Sequence, residues 1–496
     1  MQTGLILLYL TIGMSTNTYS ISKTSFIKFE QCSKAFFLYK NYPYLRDKLS
    51  IDKQITFKRG HDVGLLAQQL FPGGIDVSRD LKNLPEVAEA TQKLISEAAP
   101  VIYEATFIYK ETLIMVDILV LENGVYNAYE VKSSIKVSDT YYKDACLQYY
   151  VLKNSLNNFD DLFLVTINPD YVLEDELDVK KLFRKRSVKK RAEENIAYFD
   201  HRVSEALMVL EQNTIPNTPI GKQCFKPYQC DFFGTCWKDL VTENSVLNLP
   251  QVDRGLLFDW FSSGIKTISQ LNDDLIEKEN VKKIKNAILT NSEIRDAERI
   301  NHFISKITEP VASMDMEIWN PAVPQLKGTK PFEQIPFLVC FYDGNTRYFF
   351  TDQQTDKRKE FGEKLIEFSK DYKTILVYDK TMEVAVINTL IQLYPELKPE
   401  LDILKTKMLD VFELFLNLSY YHPGFGSNVS LKVVSATLLN DVAYSKINSG
   451  LEAMAYYGQY RISENELERS TIFQDLVDYC STDTEATFKL ARFLQK

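Results

Sequence analysis

Asn123-Gly124 sits between two apolar runs and constrains the fold of this chain more than any other pair of residues. Asn-Gly readily adopts the positive φ angles of a two-residue turn, so the flanking runs are predicted to pair as an antiparallel hairpin. Register follows by counting. With Glu122 facing Val125, Asp117 falls directly opposite Glu130, and Lys132 lies on the same face two residues on. Directly opposed Cβ atoms are about 4.5–5.5 Å apart, so two carboxylates placed there repel each other unless positive charge lies between them. A divalent metal ion meets that need; an ordinary hairpin with solvated charges is the alternative.

The order Asp117, then Glu130-Val131-Lys132, resembles the core of the PD-(D/E)XK nucleases. The resemblance implies that Asp117 and Glu130 hold Mg2+ or Mn2+ and that Lys132 orients the attacking water or steadies developing phosphorane charge. The following segment, Lys143-Asp144-Ala145-Cys146-Leu147-Gln148-Tyr149-Tyr150, is similar to the helix that carries a Gln and a Tyr in the RecB-like branch, which makes Gln148 and Tyr149 accessory candidates. Cys32 precedes this core, and Cys224, Cys230 and Cys236 follow it with five residues between neighbours. One early cysteine and a late trio resemble the iron-sulfur staple of the CRISPR-associated RecB-like nucleases and of AddB. The resemblance implies a [4Fe-4S] cluster; four thiolates also suit Zn2+.

A chain of 496 residues is too long for one core, and its length suggests about three domains. Its 45% hydrophobic and 25% charged content is that of a globular protein. A net charge of −9 argues against a broad basic surface for sequence-blind nucleic-acid binding, though not against a nuclease whose acids are neutralised by their metals. Seven cysteines in a chain of this size do not make a secreted disulfide framework, so a cytoplasmic setting is expected. Residues 1–21 form an apolar N-terminal extension whose apolar run, Gly4 to Gly13, is too short for a membrane span and has no preceding Lys or Arg. Met14 is read as an alternative start.

In chain order, residues 22–42 read as one helix bearing Phe26, Phe29, Cys32, Phe36, Phe37 and Tyr39. A second helix is predicted from Gly60. RecB-like enzymes keep a metal-binding histidine there, but His61 stands three residues early and Gly64 holds the family position, which leaves His61 a ligand or an ordinary exposed histidine and makes Glu104 the alternative ligand. The basic run Lys180, Lys181, Arg184, Lys185, Arg186, Lys189, Lys190 and Arg191 is read as a solvated helical face or a phosphate-tracking patch. Residues 22–245 form the predicted nuclease domain, and residues 246–305 a helical linker. Within the linker, Leu256-Leu257 and Ser263 to Ile268 resemble a helix-hairpin-helix turn.

A second acidic set occupies residues 306–496. In Met314-Asp315-Met316-Glu317-Ile318 the apolar residues alternate, so Asp315 and Glu317 share one side of a strand. Tyr479 and Asp483 are four apart in a helical pattern and share a face. These motifs resemble the DEDD exonucleases of the ribonuclease H-like fold, which implies metal binding by Asp315, Glu317 and Asp483 and positioning of water by Tyr479. Glu383 matches the middle acid by spacing, although Asp379 replaces the usual Asn and Met382 the Phe; Asp410 is a second candidate. His422-Pro423-Gly424-Phe425-Gly426-Ser427 reads as a loop beside the substrate groove. The two-domain order, over nearly all of residues 22–496, also resembles an uncharacterised bacterial family known only as a domain of unknown function.

The expected fold class is α/β: a PD-(D/E)XK restriction-endonuclease-like domain, a helical linker and a ribonuclease H-like mixed-sheet domain. The expected function is a metal-dependent DNA nuclease with two sites, working from 3′ ends at the second, in repair or in defence against foreign DNA. DNA rather than RNA is the expected partner, a membrane is not, and a helicase or defence-system protein stays open as a partner. The alternatives are an RNA-directed exonuclease and a nucleic-acid-binding scaffold with one or both sites inactive. A serine or cysteine hydrolase lacks support, because His61, His201, His302 and His422 have no nucleophile motif beside them.

Overall fold

The computed structural model describes residues 19–78, 83–242, 244–444 and 446–496. Met14 and most of the apolar extension lie outside the described residues. The chain divides into two compact units. One comprises the described part of Met1–Asp47 with His61–Ile167 and Val179–Phe233; the other comprises Lys48–Gly60, Asn168–Asp178 and Gly234–Lys496. Among the described residues, no helix is long and apolar enough to cross a membrane.

The first unit is built on a seven-stranded sheet: β1 (Ile21–Ser22), β2 (Ile75–Asp76), β3 (Val101–Tyr109), β4 (Thr112–Glu122), β5 (Val125–Lys132), β6 (Phe159–Ile167) and β7 (Phe183–Ser187). The order is β2-β3-β4-β5-β6-β7, with β1 paired parallel to the start of β4. Asn123 and Gly124 both take positive φ, 52° and 82°, and Glu122 pairs with Val125, so the observed register is the one counted from the turn. Lys110 and Glu111 make the β3–β4 turn in the same way without a glycine, at φ 42° and 54°. β5 and β6 are parallel and joined by the Asp139–Ser155 helix, which Ser138 caps by accepting from the Tyr141 N–H at 3.2 Å. That helix buries Ala145, Tyr149 and Leu152 against sheet residues including Phe107, Val116 and Leu164.

Three local readings change. Residues 22–42 form two helices, Lys23–Gln31 and Ser33–Asn41, broken at Cys32, whose φ of −167° and ψ of 119° are extended. The helix carrying His61 begins at Ile51 rather than Gly60, because one glycine inside a helical run costs only about 1 kcal/mol. The basic run is not one helical face: Arg184, Lys185 and Arg186 lie exposed on β7, an edge strand where like charges discourage pairing with another chain.

The second unit holds a five-stranded sheet of β9 (Val311–Trp319), β10 (Ile335–Tyr342), β11 (Thr346–Phe350), β12 (Thr374–Val377) and β13 (Met408–Asp410), in the order β11-β10-β9-β12-β13. β9, β10 and β11 are antiparallel neighbours, while β12 and β13 run parallel to β9. Period-two alternation gives the sheet two buried faces. Met314, Met316, Val339 and Phe341 pack with residues of the Arg358–Ser369, Thr381–Leu393 and Lys398–Lys407 helices. Phe337 and Cys340 pack on the other side with Tyr457, Leu476 and Cys480 of the Gly450–Ile462 and Glu466–Leu494 helices. A separate pair, β8 (Ile294–Arg295) with β14 (Tyr420–Tyr421), interrupts the predicted helical linker. The predicted helix-hairpin-helix has its first helix, Arg254–Ser262, and a turn at Gly264, but a short 3-10 turn, Ile268–Gln270, stands where the second helix was expected.

The Asn123-Gly124 turn is testable by itself. Gly124→Ala places a side chain at positive φ and is expected to lower the unfolding free energy of the first unit by about 1 kcal/mol in urea denaturation.

Candidate functional site

In the first unit the count from the turn sets Asp117 beside Glu130, and Asp117 Oδ2 accepts from the Val131 N–H at 2.6 Å. The same counting on β3 places Glu104 opposite Asp117, between the Tyr103–Ile118 and Ala105–Val116 pairs. Three carboxylates thus cross the middle of the sheet. Glu104 also holds φ at 57° inside a strand, a conformation costing of order 1–3 kcal/mol that side chains other than glycine seldom take.

Two lysines answer these acids. Lys132 Nζ lies 2.7 Å from Glu130 Oε1 and 2.5 Å from Asp144 Oδ2, and Lys23 Nζ is 2.7 Å from the same Glu130 oxygen. Burial disfavours the charged form of Glu130, but Lys132 and Lys23 prevail and hold its carboxyl below the usual range. Asp117 moves the other way: burial and then the Glu130 charge raise it, against Lys23 and Lys132. Burial, Asp117 and Glu130 push Glu104 up to about 8. Four buried polar atoms here, Glu130 Oε2, Asp144 Oδ1 and both amide atoms of Gln148, have no hydrogen-bond partner in the protein. A cation or water with its own ligand demands fits that set.

Asp144 and Lys23 were not among the residues expected in the site. Asp144 precedes Gln148 by four residues on one helix, a spacing that places both on one face. Lys23 reaches Glu130 across 107 positions, a separation no local pattern reveals. Tyr149 does not join the group; its hydroxyl donates to Glu193 at 3.1 Å. His61 is exposed on its helix.

The segment around Cys32 is tied to the later cysteines within the first unit. Gln31 Nε2 donates to the carbonyls of Gln223 at 2.6 Å and Tyr228 at 2.8 Å, next to Cys224 and close to Cys230. Backbone N–H groups of Gly221 and Phe232 donate to the Cys224 and Cys230 sulfurs, each at 3.5 Å. Cys236 falls in the second unit, on the Phe233–Trp237 helix.

In the second unit, Asp315 and Glu317 stand on β9, Glu383 in the first turn of the Thr381–Leu393 helix, and Tyr479 and Asp483 on the Glu466–Leu494 helix. Burial raises Asp315, and Asp483, Glu317 and Glu383 add their repulsion. Burial, then Asp483, raises Glu317 as well. Burial lifts Glu383 to about 8, and its Oε2 has no hydrogen-bond partner. Asp483 is also raised by burial, while hydrogen bonds from Tyr444 and Tyr479 and the charge of Lys432 limit the shift. Among the described residues, Asp315, Glu317 and Cys480 form the group of potential metal donors whose ligand atoms all lie within 4.8 Å of one another.

Asp379 and Asp410 act on Glu383 by their charge and bond within the turn before it. Asp410 accepts from the amides of Asp379 at 2.9 Å, Lys380 at 3.1 Å and Phe412 at 3.0 Å. Asp379 accepts from the Thr381 hydroxyl at 2.6 Å and itself takes φ 62°. Together they fix the turn that delivers Glu383. Two residues escaped the sequence reading. Lys432, on the Leu431–Leu438 helix, lies over the rings of Tyr479 and Tyr444 at 4.5 and 4.8 Å, and its Nζ has no hydrogen-bond partner. Tyr444 donates to Asp483 Oδ1 from an irregular segment that carries no periodic signal.

A domain of unknown function, DUF2779, matches residues 312–430, which takes in Asp315, Glu317 and Glu383 and ends before Lys432, Tyr479 and Asp483. That match is narrower than the resemblance over residues 22–496. The family B DNA polymerase from the hyperthermophilic archaeon Pyrobaculum calidifontis is similar at a TM-score of 0.27 and 15% identity, over 37% of this chain and 24% of the polymerase. The chain thus matches about a quarter of that polymerase's length. No curated protein matches the sequence.

The raised acids set the sign of a pH effect. Folded Asp315, Glu317 and Glu383 bind protons more tightly than their unfolded counterparts, so their contribution is fully present below about pH 4 and lost as pH rises through their raised values, about 8 for Glu383. In chelator, Asp315→Asn is expected to match wild type in thermal stability near pH 4 and to exceed it progressively as pH rises. Added Mn2+ should raise the melting temperature of wild type by more than that of the variant.

Proposed function

We propose that this chain is a metal-dependent nuclease with two sites, one in each unit, that hydrolyses DNA phosphodiester bonds. The observation that carries the reading is the convergence of carboxylates from separate elements, with buried acceptor atoms left unpartnered, at the centre of each sheet. Isolated ion pairs on a surface have no such arrangement. The antiparallel β3–β4–β5 run followed by a parallel β5–β6 crossover supports a PD-(D/E)XK fold for the first unit. The order β11-β10-β9-β12-β13, with one antiparallel strand inside the sheet, supports a ribonuclease H-like fold for the second.

Asp117 and Glu130 would hold the ion of the first site, with Glu104 beside them, and Asp315, Glu317 and Asp483 that of the second. Mg2+ or Mn2+ held by these residues would supply Lewis acidity to the scissile phosphate and lower the pKa of water. The protein's own groups do the rest. Lys132, held between Glu130 and Asp144, keeps an ammonium at the edge of the carboxylates, where it offsets charge developing on phosphate. The Tyr479 hydroxyl, four residues from Asp483 on the same helix face, orients water, and Tyr444 fixes the other side of Asp483. Lys432, a cation facing acids without a hydrogen bond of its own, is placed to receive a phosphate oxygen.

A second reading applies to the first unit alone. Lys23 and Lys132 together neutralise Glu130, so that site is also consistent with a module that binds nucleic acid without cutting it. Separate variants decide between them. On end-labelled single- and double-stranded DNA and RNA with Mn2+, Asp315→Ala and Asp117→Ala are each expected to lower cleavage about a hundredfold or more at their own site. Loss in Asp315→Ala alone selects the binding reading for the first unit, and an inert wild type on every substrate overturns the nuclease assignment.

For the cysteines we propose a [4Fe-4S] cluster, with Zn2+ the alternative, supported by the Gln31 tether and the N–H donors at Cys224 and Cys230. Anaerobically purified protein is expected to be brown, to bleach in air and to lose its colour in Cys32→Ser. Colourless protein that retains zinc would select the alternative.

A further inference from the structure

The Glu466–Leu494 helix brings more than Tyr479 and Asp483 to β9. Cys480 is fully buried between them, with its Sγ 3.5 Å from Asp315 Oδ2 and 3.6 Å from the Asp315 carbonyl oxygen. A spread of at most 4.8 Å among the donor atoms of Asp315, Glu317 and Cys480 suits one ion, since metal–oxygen and metal–sulfur bonds are about 2.0–2.3 Å. An independent feature also calls for a cation. Glu383 is only 2% exposed, its Oε2 has no hydrogen-bond partner, and its charge is felt at both Asp315 and Glu317.

We propose that Cys480 is a third ligand of this metal site and gives it a preference for thiophilic divalent cations, the manganese, cobalt and zinc class, over magnesium. The inference rests on the reading of Asp315 and Glu317 as metal ligands. Magnesium is a hard ion that takes oxygen donors and gains little from sulfur, whereas a mixed carboxylate–thiolate set favours the softer transition ions. Binding is balanced simply: the sulfur–metal bond forms as the S–H bond breaks, and the proton leaves to solvent. The hydrogen bond between Cys480 and Asp315 keeps the sulfur directed at the carboxylate before the ion arrives. Cys340, paired across the strands with Asp315, also lies against Cys480, so the control is Cys146, a cysteine buried in the core of the first unit.

The probe is Co2+, whose thiolate charge-transfer absorption reports each sulfur ligand. It is titrated anaerobically into the full chain as wild type, Cys480→Ser, Asp315→Asn and Cys146→Ser. The other cysteines add their own absorption, so the difference from wild type is what counts. The expected result is that Cys480→Ser and Asp315→Asn lose the same increment while Cys146→Ser keeps it. The ratio of Mn2+- to Mg2+-supported cleavage should fall about tenfold in Cys480→Ser. Cys480→Ala repeats the measurement if serine disturbs the fold. Identical absorption and identical metal ratios in wild type and Cys480→Ser overturn the proposal, even if Asp315→Asn abolishes cleavage. The increment without cleavage under any ion upholds the ligand and overturns the nuclease reading instead.

Discussion

Carboxylates held side by side in a protein interior cannot all stay ionised without an opposing charge, and both units are arranged around that constraint. At an effective dielectric constant of about 20, two unit charges 4 Å apart interact by about 4 kcal/mol, comparable with much of a domain's net stability. Each unit contains the repulsion differently. In the first, Lys23 and Lys132 share Glu130 and Asp144, leaving Asp117 and Glu104 to bind protons. In the second, burial dominates, and protonation, the tyrosine hydroxyls and Lys432 take up what remains.

The sheets explain why the groups meet. Strand alternation puts Met314 and Met316 in one core and turns Asp315 to the opposite face, where Cys480 donates to it. Pairing of β4 with β3 and β5 aligns Glu104, Asp117 and Glu130 at the same level of three neighbouring strands. The supporting contacts are equally specific. Asp410 uses its oxygens on three backbone amides, which holds the turn before Glu383.

Much of this was readable from local pattern. The Asn123-Gly124 turn carried the register of the central hairpin, and alternation around Asp315 and the four-residue step from Tyr479 to Asp483 indicated which side chains share a face. What escaped was nonlocal or conformational. Lys23, Lys432 and Tyr444 belong to segments far in sequence from the acids they meet, and the left-handed backbone of Glu104 has no sequence signature. The break at Cys32 was hidden by a run of apolar residues that reads as one helix. The charges of β7 likewise read as a helical face, because an edge strand exposed along one side shows no clear alternation.

The central claim is that each cluster grips a divalent ion, and direct Mn2+ binding tests it without assuming any substrate. Electron paramagnetic resonance of free Mn2+, titrated into wild type, Asp117→Asn, Asp315→Asn and the double variant, counts bound ions in each. The account predicts that each single variant loses the binding belonging to its own unit and that the double variant retains none. Binding equal to wild type in all three variants would contradict it.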